Sequence, residues 1–181
     1  MRNRKQWIWI GMMAVILLLV LFYWYITYVM KDQNREEKAA ILTAQQQGGL
    51  ISSEQTWKSV WGMNKDNAIY WVVKGKNAQN QDQMVWVRFD ANHEPSTKPG
   101  SVSTALLQNG RSEEQIRSQL TASMPQADIQ RVLPGIYNGI QVWQVFCKDQ
   151  TGYNYRFYKF SDGKLVDGPF ALPDSFGTEQ Q

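Results

Sequence analysis

The chain has few of the residues from which catalytic and metal sites are usually built. Its 181 residues include one cysteine, Cys147, and one histidine, His93. A single thiol cannot form an internal disulfide, so the fold must be held by its core alone. The sequence has no glycine-rich phosphate loop, no serine nucleophile elbow and no ligand-spaced cluster of His, Cys or acidic residues. It therefore predicts no catalytic residues, no cofactor, no metal ion and no small-molecule substrate.

A pairing of Cys147 with His93 in a membrane-bound hydrolase is the enzymatic alternative. The cysteine falls in a predicted strand and the histidine in a loop of the other half of the chain. A lone strand cysteine is usually a small core residue, and a lone loop histidine is usually solvated. We therefore expect a structural thiol; a hydrolase would require loss of activity in Cys147→Ala with the fold intact.

Charge is also absent from one long stretch. No Asp, Glu, Lys or Arg lies between Gln6 and Lys31. As a helix, residues 7–30 would be about 36 Å long, which spans a hydrocarbon core of about 30 Å with both ends in the interfaces. Aromatic residues that favour the interfaces lie at the two ends: Trp7 and Trp9, then Tyr23, Trp24, Tyr25 and Tyr28. The sequence predicts a transmembrane helix over residues 7–30.

Two other interpretations of this run fit less well. A cleavable signal peptide would have an apolar core of about 7 to 15 residues and a small-residue cleavage site, whereas Thr27, Tyr28, Val29 and Met30 follow Ile26. A buried core helix of a soluble protein is the other alternative, but few such helices run for 24 residues with no polar face. We therefore expect a retained signal anchor.

The excess positive charge belongs to this anchor. Three of the 19 basic residues precede the run and all 16 acidic residues follow it, so residues 31–181 are formally neutral. Nucleic-acid binding thereby loses its main support. Lys and Arg are equally numerous on the two flanks, but only the N-terminal flank lacks acidic residues. We expect a cytoplasmic tail over residues 1–6, a single-pass anchor in the cell membrane and an extracellular C-terminal part.

The extracellular part repeats one pattern twice. At a shift of 71 residues, the stretch from Asn67 aligns with the stretch from Asn138. The aligned pairs of the last strand are apolar or basic: Met84 with Tyr155, Trp86 with Phe157, Arg88 with Lys159 and Phe89 with Phe160. We expect a first module over residues 31–108 and a second over residues 109–181.

Each module is expected to begin with a helix. Residues 31–47 contain no Gly or Pro and precede Gly48 and Gly49, so this helix should continue the membrane helix outward. Its predicted packing residues are Ala39, Ala40, Ile41, Leu42 and Ala44. In the second module, Ser112 and Gln115 predict a capping box, and Pro125 stops the helix.

Strands rich in β-branched and aromatic residues follow each helix. The predicted strands are residues 55–61, 68–74 and 84–89, then 128–133, 140–146 and 153–160. Turns are predicted at the pairs that favour positive φ or side-chain turns: Asp66-Asn67, Asn138-Gly139 and Asp162-Gly163. Each module is then an antiparallel sheet curling around one helix, an α+β arrangement.

The repeated last strand carries apolar residues on both faces. Alternation places Trp86 and Arg88 on one face, equivalent to Phe157 and Lys159. One face of each sheet must meet the helix, so the other is either a core between the modules or an exposed surface. Trp86, Arg88, Phe157 and Lys159 are therefore the candidate partner surface, with a shared core as the alternative.

The anchor, the following helix and the two helix-on-sheet units together resemble the TseB (YpmB) family of Gram-positive bacteria. The second half, with residues 142–145, 153–160 and 162–165, resembles a PepSY module, although Ser161-Asp162-Gly163 is a shorter turn than the PepSY pattern. The resemblance implies two tandem cystatin-like modules. It also implies a non-enzymatic role in peptidoglycan elongation at the cell wall, through contact with a class B penicillin-binding transpeptidase.

Three classes of function follow from these features. The first is an extracytoplasmic binding and regulatory protein with a protein partner in the cell envelope, which we favour. The second is a PepSY-type protease inhibitor or chaperone-like module, although the Gln-x-Val-x-Gly loop of inhibitory cystatins is absent. The third is the Cys147 hydrolase.

Overall fold

The structure is a computed structural model that describes residues 2–61 and 69–172, with side chains described from residue 9 to 26 and from residue 33 onward within these ranges. The chain divides into two compact units, residues 1–38 and residues 39–181. Helix α1 (Arg2–Gln46) forms the first unit and continues into the second. The predicted turn Asp66-Asn67 and the interfacial side chains of Trp7 and Tyr28 lie outside the described residues.

The first unit contains the apolar stretch of α1. Its window Trp9–Ile26 has 18 residues and a mean hydropathy of 2.3. Every side chain in this window is exposed to the surroundings of the chain. Among the described residues it is the one helical stretch long and apolar enough to cross a bilayer. This stretch is compatible with the predicted single-pass anchor.

The second unit contains two four-stranded antiparallel sheets. The first sheet is formed by β1 (Leu50–Val60), β2 (Ile69–Asn77), β3 (Asp82–Phe89) and β4 (Val102–Leu106). A short 3-10 helix (Leu107–Asn109) and helix α2 (Glu113–Ser123) lead to the second sheet. That sheet is formed by β5 (Asp128–Tyr137), β6 (Ile140–Asp149), β7 (Gly152–Lys159) and β8 (Leu165–Ala171). In both sheets the strand order follows the chain.

The last turns of α1 pack on one face of the first sheet. Ala40 and Ala44 are fully buried there, in a cluster with Trp71 of β2 and Phe89 of β3. The prediction that Leu42 joins this contact is wrong, because its side chain is 55% exposed. Residues 40 and 44 are one helical turn apart and share a face, whereas residue 42 lies on the opposite side of the helix.

Helix α2 has the predicted N-terminus. Ser112 Oγ accepts the Gln115 backbone N–H at 3.2 Å, and Gln115 Oε1 accepts the Ser112 backbone N–H at 2.9 Å. The capping box is therefore confirmed. Met124 caps the C-terminus directly before Pro125. Ile116 and Leu120 are the buried residues of this helix.

The largest core joins both sheets and α2. It contains Met84 and Trp86 from the first sheet, Ile116 and Leu120 from α2, and Trp143 from the second sheet. The first sheet is thus covered on both faces, by α1 on one and by α2 with the second sheet on the other. Strand β5 also contacts β1 and β2 directly.

The α+β class and the pair of antiparallel sheets are confirmed, but the expected number of strands is wrong. Each sheet has a fourth strand, β4 and β8. Both are edge strands with mostly exposed or half-buried residues. β8 also contains Gly168-Pro169. Because Gly and Pro are unfavourable inside strands, the local sequence does not predict a strand there. Pairing with β3 and β7 stabilises these two segments, and the residues within each segment do not indicate that pairing.

The repeat is visible in the strand pairing. Trp71 pairs with Val87 in the first sheet, and Trp143 pairs with Tyr158 in the second. The third strands β3 and β7 therefore correspond at the predicted shift of 71, whereas the second strands β2 and β6 correspond at 72. Each tryptophan contacts the phenylalanine that ends the third-strand repeat: Trp71 with Phe89 at 6.4 Å and Trp143 with Phe160 at 6.1 Å between ring centroids.

Candidate functional site

The two aromatic members of the candidate partner surface lie in the interior. Trp86 and Phe157 are completely buried. A partner therefore cannot reach them in the folded chain. The alternative interpretation, a core shared by the two modules, describes Trp86, whereas Phe157 belongs to a separate, smaller cluster. Arg88 is half-buried and Lys159 is exposed. The structure does not bring the four residues together as one open surface.

Trp86 lies between the two sheets. Its Nε1–H donates a hydrogen bond to the Gly135 carbonyl of β5 at 3.1 Å. Its ring meets the Phe160 ring edge-on, with 5.3 Å between the centroids. Gln144 Nε2 donates to Ser59 Oγ at 2.8 Å, in the opposite direction, from the second sheet to the first. This region therefore joins the two sheets through side-chain contacts.

Phe157 lies on the other face of the second sheet. It stacks on Tyr137 at 4.2 Å with an interplanar angle of 12°. Trp61, which directly follows β1, covers it edge-on at 4.8 Å. Tyr137 Oη donates to Asp167 Oδ2 at 2.6 Å, and this bond raises the pKa of Tyr137. The end of this sheet face that contains Phe157 is thus covered by Trp61, the residue that follows β1.

The other end of the same face is partly exposed, and Trp61 reaches only its Tyr155 ring, at 5.0 Å between centroids. Phe146 stacks on Tyr153 at 5.5 Å and lies 4.9 Å from Tyr155. All three aromatic residues are half-buried. The exposed Arg131 lies over the Phe146 ring at 6.0 Å, and the exposed Lys148 lies over the Tyr153 ring at 5.2 Å. We call these five residues the open aromatic face.

This face was not predicted from the sequence. The predicted surface lay on the repeated third strand of each sheet, whereas Phe146 and Lys148 lie on β6 and Arg131 on β5. The alternation Gln144, Phe146, Lys148 was a signal for the face, since residues two apart point to the same side of a strand. The register of β5 against β6 was needed to add Arg131, because a bulge follows Ile129.

Cys147 is part of a polar network on the opposite face of the second sheet. Its thiol is completely buried and donates to Asn154 Oδ1 at 3.3 Å. Burial raises the pKa of Cys147, so the thiolate needed for nucleophilic attack is disfavoured. Arg156 donates to the same Asn154 oxygen at 3.1 Å and to Asp149 Oδ2 at 2.9 Å. The network satisfies buried polar groups at the β6–β7 hairpin.

The remaining motif residues are found in turns. Asp162 Oδ1 accepts the Lys164 N–H at 3.1 Å, and Gly163 has φ of 73°. Asn138 and Gly139 both have positive φ, as a tight hairpin between β5 and β6 requires. The predictions of turns at these two pairs are confirmed. His93 lies in the exposed loop after β3. Within residues 2–61 and 69–172, no cluster of three His, Cys, Asp or Glu residues could hold a metal ion.

Comparison with known proteins gives one informative similarity. The chain matches no protein-family model and no curated protein. Its structure is similar to that of the YpmB protein from Bacillus subtilis, with a TM-score of 0.60 and 20% sequence identity. The match covers 74% of this chain and 96% of the YpmB chain. The resemblance to the TseB (YpmB) family is therefore confirmed at the level of the fold.

Proposed function

From the premise that the chain has the YpmB fold, we propose that it is a membrane-anchored extracytoplasmic binding protein that regulates cell-wall elongation. In this proposal it contacts a class B penicillin-binding transpeptidase. The observation that carries the proposal is the match over 96% of the YpmB chain. The proposal includes two cystatin-like modules, the second of PepSY type, each with one helix on one sheet.

The apolar stretch of α1 supports the membrane part of the proposal. Trp9–Ile26 carries no charge and lies ahead of a formally neutral domain. The helix is proposed to hold the two sheets at the outer side of the cell membrane, with the basic N-terminus in the cytoplasm. This arrangement would concentrate the sheets in the layer where wall precursors are polymerised.

The described side chains also agree with a role in binding rather than in catalysis. The thiol of Cys147 is buried and held by Asn154, and His93 is exposed in a loop. The hairpin turns and the Asp162-Gly163 turn are stabilised by hydrogen bonds within the chain. We therefore propose no reaction for this protein.

The orientation is tested with single cysteines. Because Cys147 is completely buried, the background from the natural thiol is small. Thr104→Cys, at an exposed position of β4, is expected to react with a membrane-impermeant maleimide in intact cells. Asn3→Cys is expected to react only after lysis. The reverse pattern would overturn the proposed orientation.

The partner is tested by photocrosslinking in native cells with the full chain. A photoreactive residue is placed at exposed positions of both sheets, Thr104 and Lys159, and at the buried Trp86 as a control. The expected result is a crosslink to a class B transpeptidase from at least one exposed position and none from Trp86. Depletion of the chain should slow incorporation of labelled wall precursor. Normal wall labelling together with no crosslinked envelope enzyme would overturn the proposed function.

A further inference from the structure

We infer that the open aromatic face (Arg131, Phe146, Lys148, Tyr153 and Tyr155) binds an acidic segment of a protein partner. The inference rests on the proposed function in one respect, which is that the chain has a protein partner. It adds the contact surface on this chain and the chemistry of the segment that the surface accepts.

The internal repeat allows the open aromatic face to be compared with the equivalent face of the first sheet. The strand pairing makes Tyr155 equivalent to Met84, and Phe146 equivalent to Lys74. In the first sheet, Met84 is buried against α2 and the second sheet. The equivalent face of the first sheet is therefore covered by polypeptide. On the second sheet, within the described residues, Trp61 contacts both Phe157 and Tyr155 edge-on, at 4.8 and 5.0 Å between ring centroids. Phe146 and Tyr153, which lie beyond Tyr155, stay partly exposed.

The open end has the composition of the centre of a protein interface. Aromatic residues and arginine are enriched in such centres, where their large rings bury much area at low entropic cost. Tyr153, Phe146 and Tyr155 form a continuous row with Phe146 in the middle, at 5.5 Å and 4.9 Å between the successive ring centroids. Their positions are fixed by the sheet, so little ordering is needed on binding.

Charge selects an acidic occupant. Arg131 contacts the Phe146 ring and the Tyr155 hydroxyl, and Lys148 contacts the Tyr153 ring. Within the described residues, neither cation forms an ion pair. Asp128 lies opposite Lys148 on β6 and accepts a hydrogen bond from Gln130. Two cations against one carboxylate give the face a net positive charge, so carboxylates of a partner would be attracted to it.

The test uses the full chain in nanodiscs of zwitterionic lipid. The probe is a fluorescein-labelled random copolymer of glutamate and tyrosine, and binding is measured by fluorescence anisotropy. The double variant Arg131→Ala/Lys148→Ala is expected to bind about tenfold more weakly, because two charge contacts are lost. The variant Arg131→Lys/Lys148→Arg is expected to keep the binding. The matched control Lys98→Ala/Lys164→Ala removes the same charge from exposed positions elsewhere and is expected to change binding less than twofold.

Several results would overturn the inference. One is no binding of the probe to the full chain, and another is equal loss in the two alanine variants, which would show attraction by net charge alone. A third is loss of binding to phosphatidylglycerol vesicles in Arg131→Ala/Lys148→Ala with unchanged probe binding, which would assign the face to lipid. Circular dichroism verifies that each variant is folded.

The outcome separates this inference from the proposed function. If Arg131→Ala/Lys148→Ala loses the probe but still crosslinks to the transpeptidase in cells, the proposed function stands and the contact surface is wrong. If the probe binds as expected and no envelope enzyme is crosslinked, the surface stands and the proposed partner is wrong.

Discussion

One buried tryptophan in each sheet is held in place by a hydrogen bond from its indole N–H group. Trp86 Nε1 donates to Gly135 O, and Trp143 Nε1 donates to Arg111 O at 2.9 Å. A buried indole N–H without a partner would cost about 1 to 3 kcal/mol. Trp61 is the exception among the described residues, since its buried Nε1 has no partner. The indole hydrogen bond of Trp86 thus links the first sheet to β5, and that of Trp143 links the second sheet to the segment before α2.

Truncation of Trp86 tests its assignment to the core. Trp86→Ala in the full chain is expected to lower the free energy of unfolding by about 3 to 5 kcal/mol, because a fully buried ring is replaced by a cavity. Lys159→Ala, at an exposed position, is expected to change it by less than about 0.5 kcal/mol. Urea unfolding in detergent micelles measures both. A loss below about 1 kcal/mol for Trp86→Ala would contradict the core assignment.

Asp149 is expected to contribute stability that depends on pH. Hydrogen bonds from Thr151, joined by Arg156 and Asn154, lower the pKa of Asp149 from 3.8 to about 2. Because the folded pKa is below the unfolded one, the contribution is present above about pH 4 and is lost as the pH falls through about 2. With the side chain 17% exposed, we expect about 1 to 2 kcal/mol at neutral pH.

Asp149→Asn measures this contribution. The variant should be less stable than the natural chain at pH 7, and the difference should shrink as the pH falls from 4 to 2. Asp128→Asn, at an exposed carboxylate, serves as the control and should show little change. A stability difference that stays constant from pH 7 to pH 2 would show that Asp149 acts through its shape and not through its charge.

Among the elements, α2 is held to the second sheet by hydrogen bonds as well as by its buried face. Gln119 Nε2 donates to the Gly163 carbonyl at 2.8 Å, which ties the helix to the turn between β7 and β8. Ahead of the helix, Arg111 N–H donates to Phe160 O at 2.8 Å. These two hydrogen bonds fix the helix on the second sheet. Its buried apolar residues also pack against the first sheet.

Ser112→Ala is expected to destabilise the chain by about 1 kcal/mol, because the Gln115 N–H loses its acceptor at the helix start. Ser118→Ala makes the same substitution at an exposed position inside α2. It is expected to be neutral or slightly stabilising, since alanine has the better helix propensity. Thermal unfolding of the two variants side by side measures the difference. Equal effects would mean that the cap contributes nothing beyond helix propensity.

At the scale of the whole molecule, the boundary between anchor and domain lies inside one helix. Removal of residues 1–30 retains Ala40 and Ala44, which are buried against the first sheet. This shortened chain is expected to be soluble and folded without detergent. Removal of residues 1–46 also deletes those alanines and exposes Trp71 and Phe89, so this chain is expected to aggregate or unfold.

Size-exclusion chromatography and near-ultraviolet circular dichroism measure both truncations. An insoluble chain that starts at Lys31 would contradict a domain boundary at that residue. A well-folded chain that starts at Gln47 would show that the last turns of α1 are dispensable for the first sheet.

Features that depend on local chemistry could be predicted from the residues alone. The uncharged run, the capping box at Ser112, the turns at Asn138-Gly139 and Asp162-Gly163, and the central strands of both sheets all follow from residue types at short spacing. The duplication was visible for the same reason, because β3 and β7 keep the same alternation at a shift of 71.

Which apolar faces are covered depends on packing between segments that are distant in the chain. Alternation placed Trp86 and Phe157 on one face of their strands, but the covering groups come from residues far away in the chain, α2 for Trp86 and Trp61 for Phe157. The edge strands β4 and β8 exist because β3 and β7 offer them hydrogen-bond partners. The open aromatic face likewise gathers residues from three strands. Such contacts depend on register and packing between distant segments, which the order of residues within any one segment does not encode.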